Sequence, residues 1–131
     1  MGRQDSRGLT FDSGALIAFE AKDRGLTTLV QRAHDLGRPI VIPSGVLAQV
    51  WRRRGPRQAR LSILLGGHNV RVEDLTRNRA QATGELCGRS GTSDIVDASV
   101  VIAAWSNGRI VVTSDADDIR RLDPTLTIIA V

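Results

Sequence analysis

Asp12, Asp94, Asp97 and Asp115 sit where carboxylates can do more than keep a surface wet. The runs that carry them are L-T-F-D-S-G-A-L-I-A, T-S-D-I-V-D-A and I-V-V-T-S-D-A-D-D-I. Taken singly, each acid has an ordinary use. An aspartate at a helix start accepts a free N–H and favours the dipole, worth roughly 0.5–2 kcal/mol. Asp94 and Asp115 both fit that slot, with Asp97 and Asp118 three residues on, as in a capping box. Taken together they need more explanation. A three-residue spacing puts both carboxylates of a pair on one helical face. Carboxylates gathered at one edge repel unless a cation neutralises them. Hard oxygen ligands select Mg²⁺ or Mn²⁺ over zinc. An acidic cluster with one or two such ions suits phosphodiester cleavage, because it can acidify a water and offset charge on the leaving oxygen.

Other chemistries lack their residues. Zinc would need closely spaced His and Cys, whereas His34, His68 and Cys87 are far apart. No serine or cysteine motif stands near either histidine, which argues against a hydrolase triad. Neither G-x-G-x-x-G nor G-x-x-x-x-G-K-[ST] occurs. A receiver-type domain wants an acidic pair near the first strand and a late lysine, but the sole lysine is Lys22. A D-x-D phosphatase fails because Gly14 occupies the second acidic position.

Basic residues outside the acidic cluster must attract a polyanion. The chain has 18 basic residues against 14 acidic ones, almost all arginine, which binds phosphate in a bidentate fork. The run Trp51-Arg52-Arg53-Arg54, with Arg57 and Arg60, is the candidate RNA-binding surface; a solvated helix end explains the same run. Aromatic content of 3% disfavours recognition by base stacking. The single cysteine, Cys87, permits no intrachain disulfide and reads as a buried thiol on a helix. The opening MGRQDSRG has no apolar segment after it, and no apolar stretch approaches the ~20 residues of a membrane helix. A cytoplasmic protein without membrane contact is expected.

The elements that must position these side chains alternate. Strands are expected at 9–11, 39–42, 69–73, 109–113 and 126–129. Helices are expected at 13–20, 25–36, 43–53, 57–65, 76–87, 94–106 and 115–122, with a loop at 88–91. Such alternation predicts right-handed crossovers and a three-layer α/β/α domain with a mostly parallel sheet of about five strands. With 131 residues, the chain fits one domain, 1–131. Ligands of such sheets bind beyond the carboxyl ends of strands, where Asp12 and Asp115 fall.

The order D-S-G-A-L-I-A, V-L-A-Q-V-W-R, S-D-I-V-D-A-S-V-V-I-A-A and V-V-T-S-D-A-D-D-I resembles the PIN domain, and within it the VapC toxins of toxin–antitoxin pairs. The resemblance spans essentially the whole chain. It implies a metal-dependent endoribonuclease in which Asp12, Asp97 and Asp115 are catalytic metal ligands for Mg²⁺ or Mn²⁺. It makes Asp118 or Asp117 accessory and Ser13 and Ser114 supporting hydroxyls. One position departs: the family usually has a glutamate where this chain has Gln49, which supplies no charge. Asp94, one turn before Asp97, is the residue expected to restore it. The resemblance also implies an RNA substrate, a homodimer and a cognate antitoxin, with DNA contacted only indirectly through that antitoxin. Ile63, Leu64 and Leu65 are expected at the dimer surface. Gln49 leaves an alternative: a catalytically weakened PIN domain that binds RNA or protein.

Overall fold

The computed structural model describes residues 6–52 and 55–131. Arg53 and Arg54, two of the proposed RNA-binding residues, lie outside the described residues.

Five strands form one sheet: β1 (Leu9–Phe11), β2 (Ile40–Pro43), β3 (Val70–Glu73), β4 (Ile110–Thr113) and β5 (Thr127–Ala130). Their order is β3-β2-β1-β4-β5, and every pairing is parallel. The inner strands β1, β2 and β4 are buried along their whole length, which is why they read as continuous apolar runs and not as alternating ones. The edge strands β3 and β5 are only partly covered.

The helices follow from the connections. α1 (Ser13–Glu20) and α2 (Arg24–Leu36) join β1 to β2, and α3 (Ser44–Val50) and α4 (Pro56–Leu65) join β2 to β3. α5 (Arg77–Ser90) and α6 (Ile95–Trp105) carry the chain back across the sheet to β4, and α7 (Ala116–Leu122) leads to β5. Right-handed crossovers that first run one way and then the other put the two groups on opposite faces. Accordingly α1 packs on α2, α3 and α4, while α5, α6 and α7 pack together. The strand order reverses between β1 and β4, so the crevice at their carboxyl ends is the natural ligand site of this topology.

The core lies on both sides of the central strands. Leu9, Phe11, Leu16, Leu26, Ile40 and Ile110 are fully covered, each such side chain contributing roughly 1.5–3 kcal/mol. α6 is the most enclosed helix: Ala98, Val100, Val101, Ile102, Ala103 and Ala104 are all buried. Its apolar character all round is therefore that of a core helix, which fixes the position of Asp97 in its first turn.

Three sequence expectations need correction. The expected loop at 88–91 is helical to Ser90, because α5 stops only where Gly91 adopts a left-handed φ of 69°. Gly88 has ordinary helical surroundings and breaks nothing. Leu64 is 4% exposed and belongs to the core, so it is no surface residue; Ile63, beside it, is 76% exposed. Arg60 is not free for a polyanion, since its Nε and Nη2 donate to the Phe19 carbonyl at 3.2 Å and its guanidinium lies over the Phe19 ring.

Candidate functional site

Parallel pairing of Phe11 with Val112 sets Asp12 beside Thr113 at the carboxyl ends of β1 and β4. The Asp12 N–H donates to the Val112 carbonyl at 3.2 Å, which continues the ladder by one step. Asp12 is the N-cap of α1, its Oδ1 accepting from the Ala15 N–H at 2.9 Å. Its Oδ2 accepts a hydrogen bond from the Thr113 hydroxyl. The same Thr113 Oγ1 accepts from the Asp115 N–H at 2.8 Å. One buried hydroxyl thus ties the first strand's acid to the turn that carries the third. Gly14 makes this approach possible, because a Cβ there would lie 1.9 Å from Ser114 Oγ and 2.6 Å from Ser114 Cβ.

Burial pushes the Asp12 carboxyl above the usual range, helped by repulsion from Asp115, against the pull of the Thr113, Ala15 and Gly14 donors.

Asp94 caps α6, its Oδ1 accepting from the Asp97 N–H at 3.0 Å. The Asp94 N–H in turn donates to Thr92 Oγ1 at 3.1 Å. The Cys87 thiol is buried on α5 and lies 3.7 Å from the Asp94 carbonyl. Asp97 is pushed up to about 7, first by burial, then by repulsion and hydrogen bonding from Asp94, then by Asp118 and Asp12.

Asp115 occupies the N-cap position of α7 yet makes no side-chain cap bond, so its carboxylate is not spent on the helix. Asp118 is raised by a hydrogen bond with Asp115 and by repulsion from it, and is pulled down by Arg121.

Asp12, Asp94, Asp97, Asp115 and Asp118 thus share one electrostatic field, although they come from three separate stretches of chain. Their carboxylates are not gathered into a closed clasp. Among the described residues, no three His, Cys, Asp or Glu side chains already stand around one point as metal ligands would. The donor set is nevertheless all hard oxygen, the kind that suits a hard divalent cation. On one side the cleft opens into a polar cavity of about 310 Å³ lined by Asp94, Asp97, Asp118 and Arg121.

The other candidates divide. Ser13 is half-buried at the start of α1, and Ser114 is exposed against Gly14. Asp117 points away, 86% exposed and 3.8 Å from Arg120. Gln49 is exposed on α3, and its side chain makes no hydrogen bond with the clustered acids. Arg52 and Arg57 are exposed, with Arg52 Nε donating to the Gln49 carbonyl at 3.0 Å. Sequence reasoning missed the bridging role of Thr113 and the presence of Arg121 in the cleft. A threonine at the end of a buried strand was the available signal for the first. For the second, the signal was its three-residue spacing from Asp118.

No family model matches the chain, and no curated protein matches it. Solved structures do. A chain of VapBC2 from Rickettsia felis, crystallised bound to a DNA fragment from its promoter, is 16% identical with a TM-score of 0.69, covering 94% of this chain and 98% of that one. A chain of DNA-bound VapBC from Salmonella typhimurium is 19% identical with a TM-score of 0.67, covering 95% and 98%. At such identity the likeness speaks for the backbone alone, and it extends almost end to end. By fold, the chain is a three-layer α/β/α domain with a five-stranded parallel sheet, sharing its backbone architecture with those VapBC chains.

Proposed function

We propose that the protein is a metal-dependent endoribonuclease, the toxin of a VapBC-type pair. The observation that carries this reading is the meeting of Asp12 and Asp115 through Thr113 at the crevice where the strand order reverses, with Asp94, Asp97 and Asp118 lining a polar cavity. A fold shared with chains of two VapBC complexes supports it. Mg²⁺ or Mn²⁺ is the ion such oxygens favour. When bound, that ion supplies Lewis acidity and a lowered pKa for water, the two needs of phosphodiester hydrolysis.

The chain's own residues do the rest. Thr113 and the Ala15 N–H fix the Asp12 carboxyl in one orientation. Asp115 makes no side-chain cap bond to the α7 backbone. Asp94 is held by its cap bond to the Asp97 N–H and stands in for the charge that Gln49 lacks. Charge gathered here repels RNA until a cation is bound, which makes cleavage conditional on metal.

The direct test is cleavage of a structured RNA by purified protein in Mn²⁺, with an Asp12→Asn variant as control. Cleavage by the parent that vanishes with EDTA and in the variant is the expected result. Equal cleavage by both would point to a contaminant and end the reading. Purification with its antitoxin, and dimer formation, are expected partners of this function; DNA would be reached through the antitoxin.

One second reading has an observation in its favour. Gln49 brings no charge, and the acids are not pre-assembled as a clasp, which suits a weakened PIN domain that binds RNA or protein without cutting. Metal-dependent RNA binding with no cleavage would select it.

A further inference from the structure

We propose that Arg121 is the residue of the acidic cleft that grips the substrate phosphate, a role that rests on the ribonuclease reading above. The polar cavity beside the clustered acids is walled by Asp94, Asp97 and Asp118, and Arg121 is its one basic side chain among the described residues. A phosphodiester entering that cavity passes three carboxylates, so a cation in the wall is what makes entry favourable. A guanidinium suits the task because its planar fork matches two phosphate oxygens.

Arg121 is also held ready at little cost. It is 78% exposed, and its Nη1 donates to Asp118 Oδ1 at 2.9 Å, an exposed pair three residues apart on α7. An exposed pair of this kind is a weak restraint. A phosphate can therefore take the guanidinium from Asp118, which then keeps its own carboxylate turned to the acidic cluster. The neighbouring residue supplies an internal comparison. Arg120 carries the same charge on the same helix and faces Asp117 at 3.8 Å, but it does not line the cavity. General attraction of RNA to a basic surface would use Arg120 and Arg121 alike; a phosphate contact in the cleft uses Arg121 alone.

The test compares the full chain with its Arg121→Gln, Arg121→Lys and Arg120→Gln variants. Binding of a fluorescein-labelled single-stranded oligoribonucleotide is followed by anisotropy in Ca²⁺, across a salt series, and cleavage is followed in Mn²⁺. Thermal shift with Mn²⁺ reports the metal separately. Arg121→Gln should weaken binding about tenfold and reduce the salt slope by about 0.7, one phosphate contact's share. Arg121→Lys should fall between, Arg120→Gln should stay within about twofold, and the Mn²⁺ shift should be unchanged in all. Equal losses for the Arg121 and Arg120 variants, with a parent that binds and cuts RNA, would overturn the role of Arg121 and leave the ribonuclease reading standing. A parent that neither binds nor cuts RNA would overturn the ribonuclease reading, and Arg121 with it.

Discussion

Replacing Asp97 with asparagine should stabilise the metal-free protein at pH 8, and do so by only about a third as much at pH 5. Asp97 is pushed from 3.8 to about 7 by burial and by the carboxylates of Asp94, Asp118 and Asp12. The folded state therefore holds its proton more tightly than the unfolded state. The stability linked to that proton is fully present below about pH 3.8 and is lost as pH rises through about 7. In a dry site the difference would amount to about 4 kcal/mol. Asp97 is partly open to solvent, so screening reduces this to about 1–2 kcal/mol. One effect opposes the gain: a carboxylate in the first turn of α6 is favoured by the helix dipole, by about 0.3–1 kcal/mol. The cost of burying the charge beside its acidic neighbours wins by about 1 kcal/mol, or about 3–5 °C in Tm for a chain of this size. The assay is thermal unfolding in EDTA at both pH values. Adding millimolar Mn²⁺ should reverse the order at pH 8, since a ligand at a hundredfold its Kd stabilises by about 2.7 kcal/mol and the variant should bind it less. An Asp97→Asn protein destabilised equally at pH 5 and pH 8 would refute the reasoning, because the carboxylate would then be under no electrostatic pressure.

Thr113→Val removes the donor to Asp12 and the acceptor for the Asp115 N–H; about 1–3 kcal/mol of stability should be lost in urea unfolding, together with Mn²⁺ affinity. Gly14→Ala should be strongly destabilising because the new methyl overlaps Ser114, and a Gly14→Ala/Ser114→Gly double variant should recover much of the lost Tm. Asp123 accepts from Trp105 Nε1 at 2.7 Å, Arg109 Nη2 at 3.1 Å and the Thr125 N–H at 2.8 Å. Burial acts to raise the Asp123 carboxyl, but these partners, Thr125 foremost, hold it below the usual range. Its contribution is therefore present above about pH 3.8 and fades on acidification below that, so Asp123→Asn should cost about 2–3 kcal/mol at pH 7 and visibly less at pH 3.

Much of this was legible in the sequence because the acids stand directly after strands. Asp12 and Asp115 follow short β-branched runs, and a parallel sheet turns such positions toward one edge. Asp97 was legible because α6 is apolar on every side, so a carboxylate in its first turn stands out. What stayed hidden depends on tertiary approach. Asp117 and Asp118 are adjacent in sequence, and only the rotation of α7 decides that Asp118 meets Asp115 while Asp117 meets Arg120. Arg60 looked like part of a basic patch; its fate is set by the Phe19 carbonyl, 41 residues away. Trp105, Arg109 and Asp123 lie on three different segments, and no periodicity announces their network. Gly88 signalled a break that the backbone did not need, since only Gly91 takes the left-handed turn.

The bond between Thr113 and Asp12 joins residues 101 positions apart. During synthesis, the opening strand leaves the ribosome long before β4 exists to lie beside it. Until then Asp12 has no Thr113 to orient it and no Asp115 to face, and the interior flank of β1 is open to water. A growing chain therefore has the acids of its first half and none of the pocket. The pocket is completed only once β4 has been made and laid beside β1, whatever order the rest of the chain folds in.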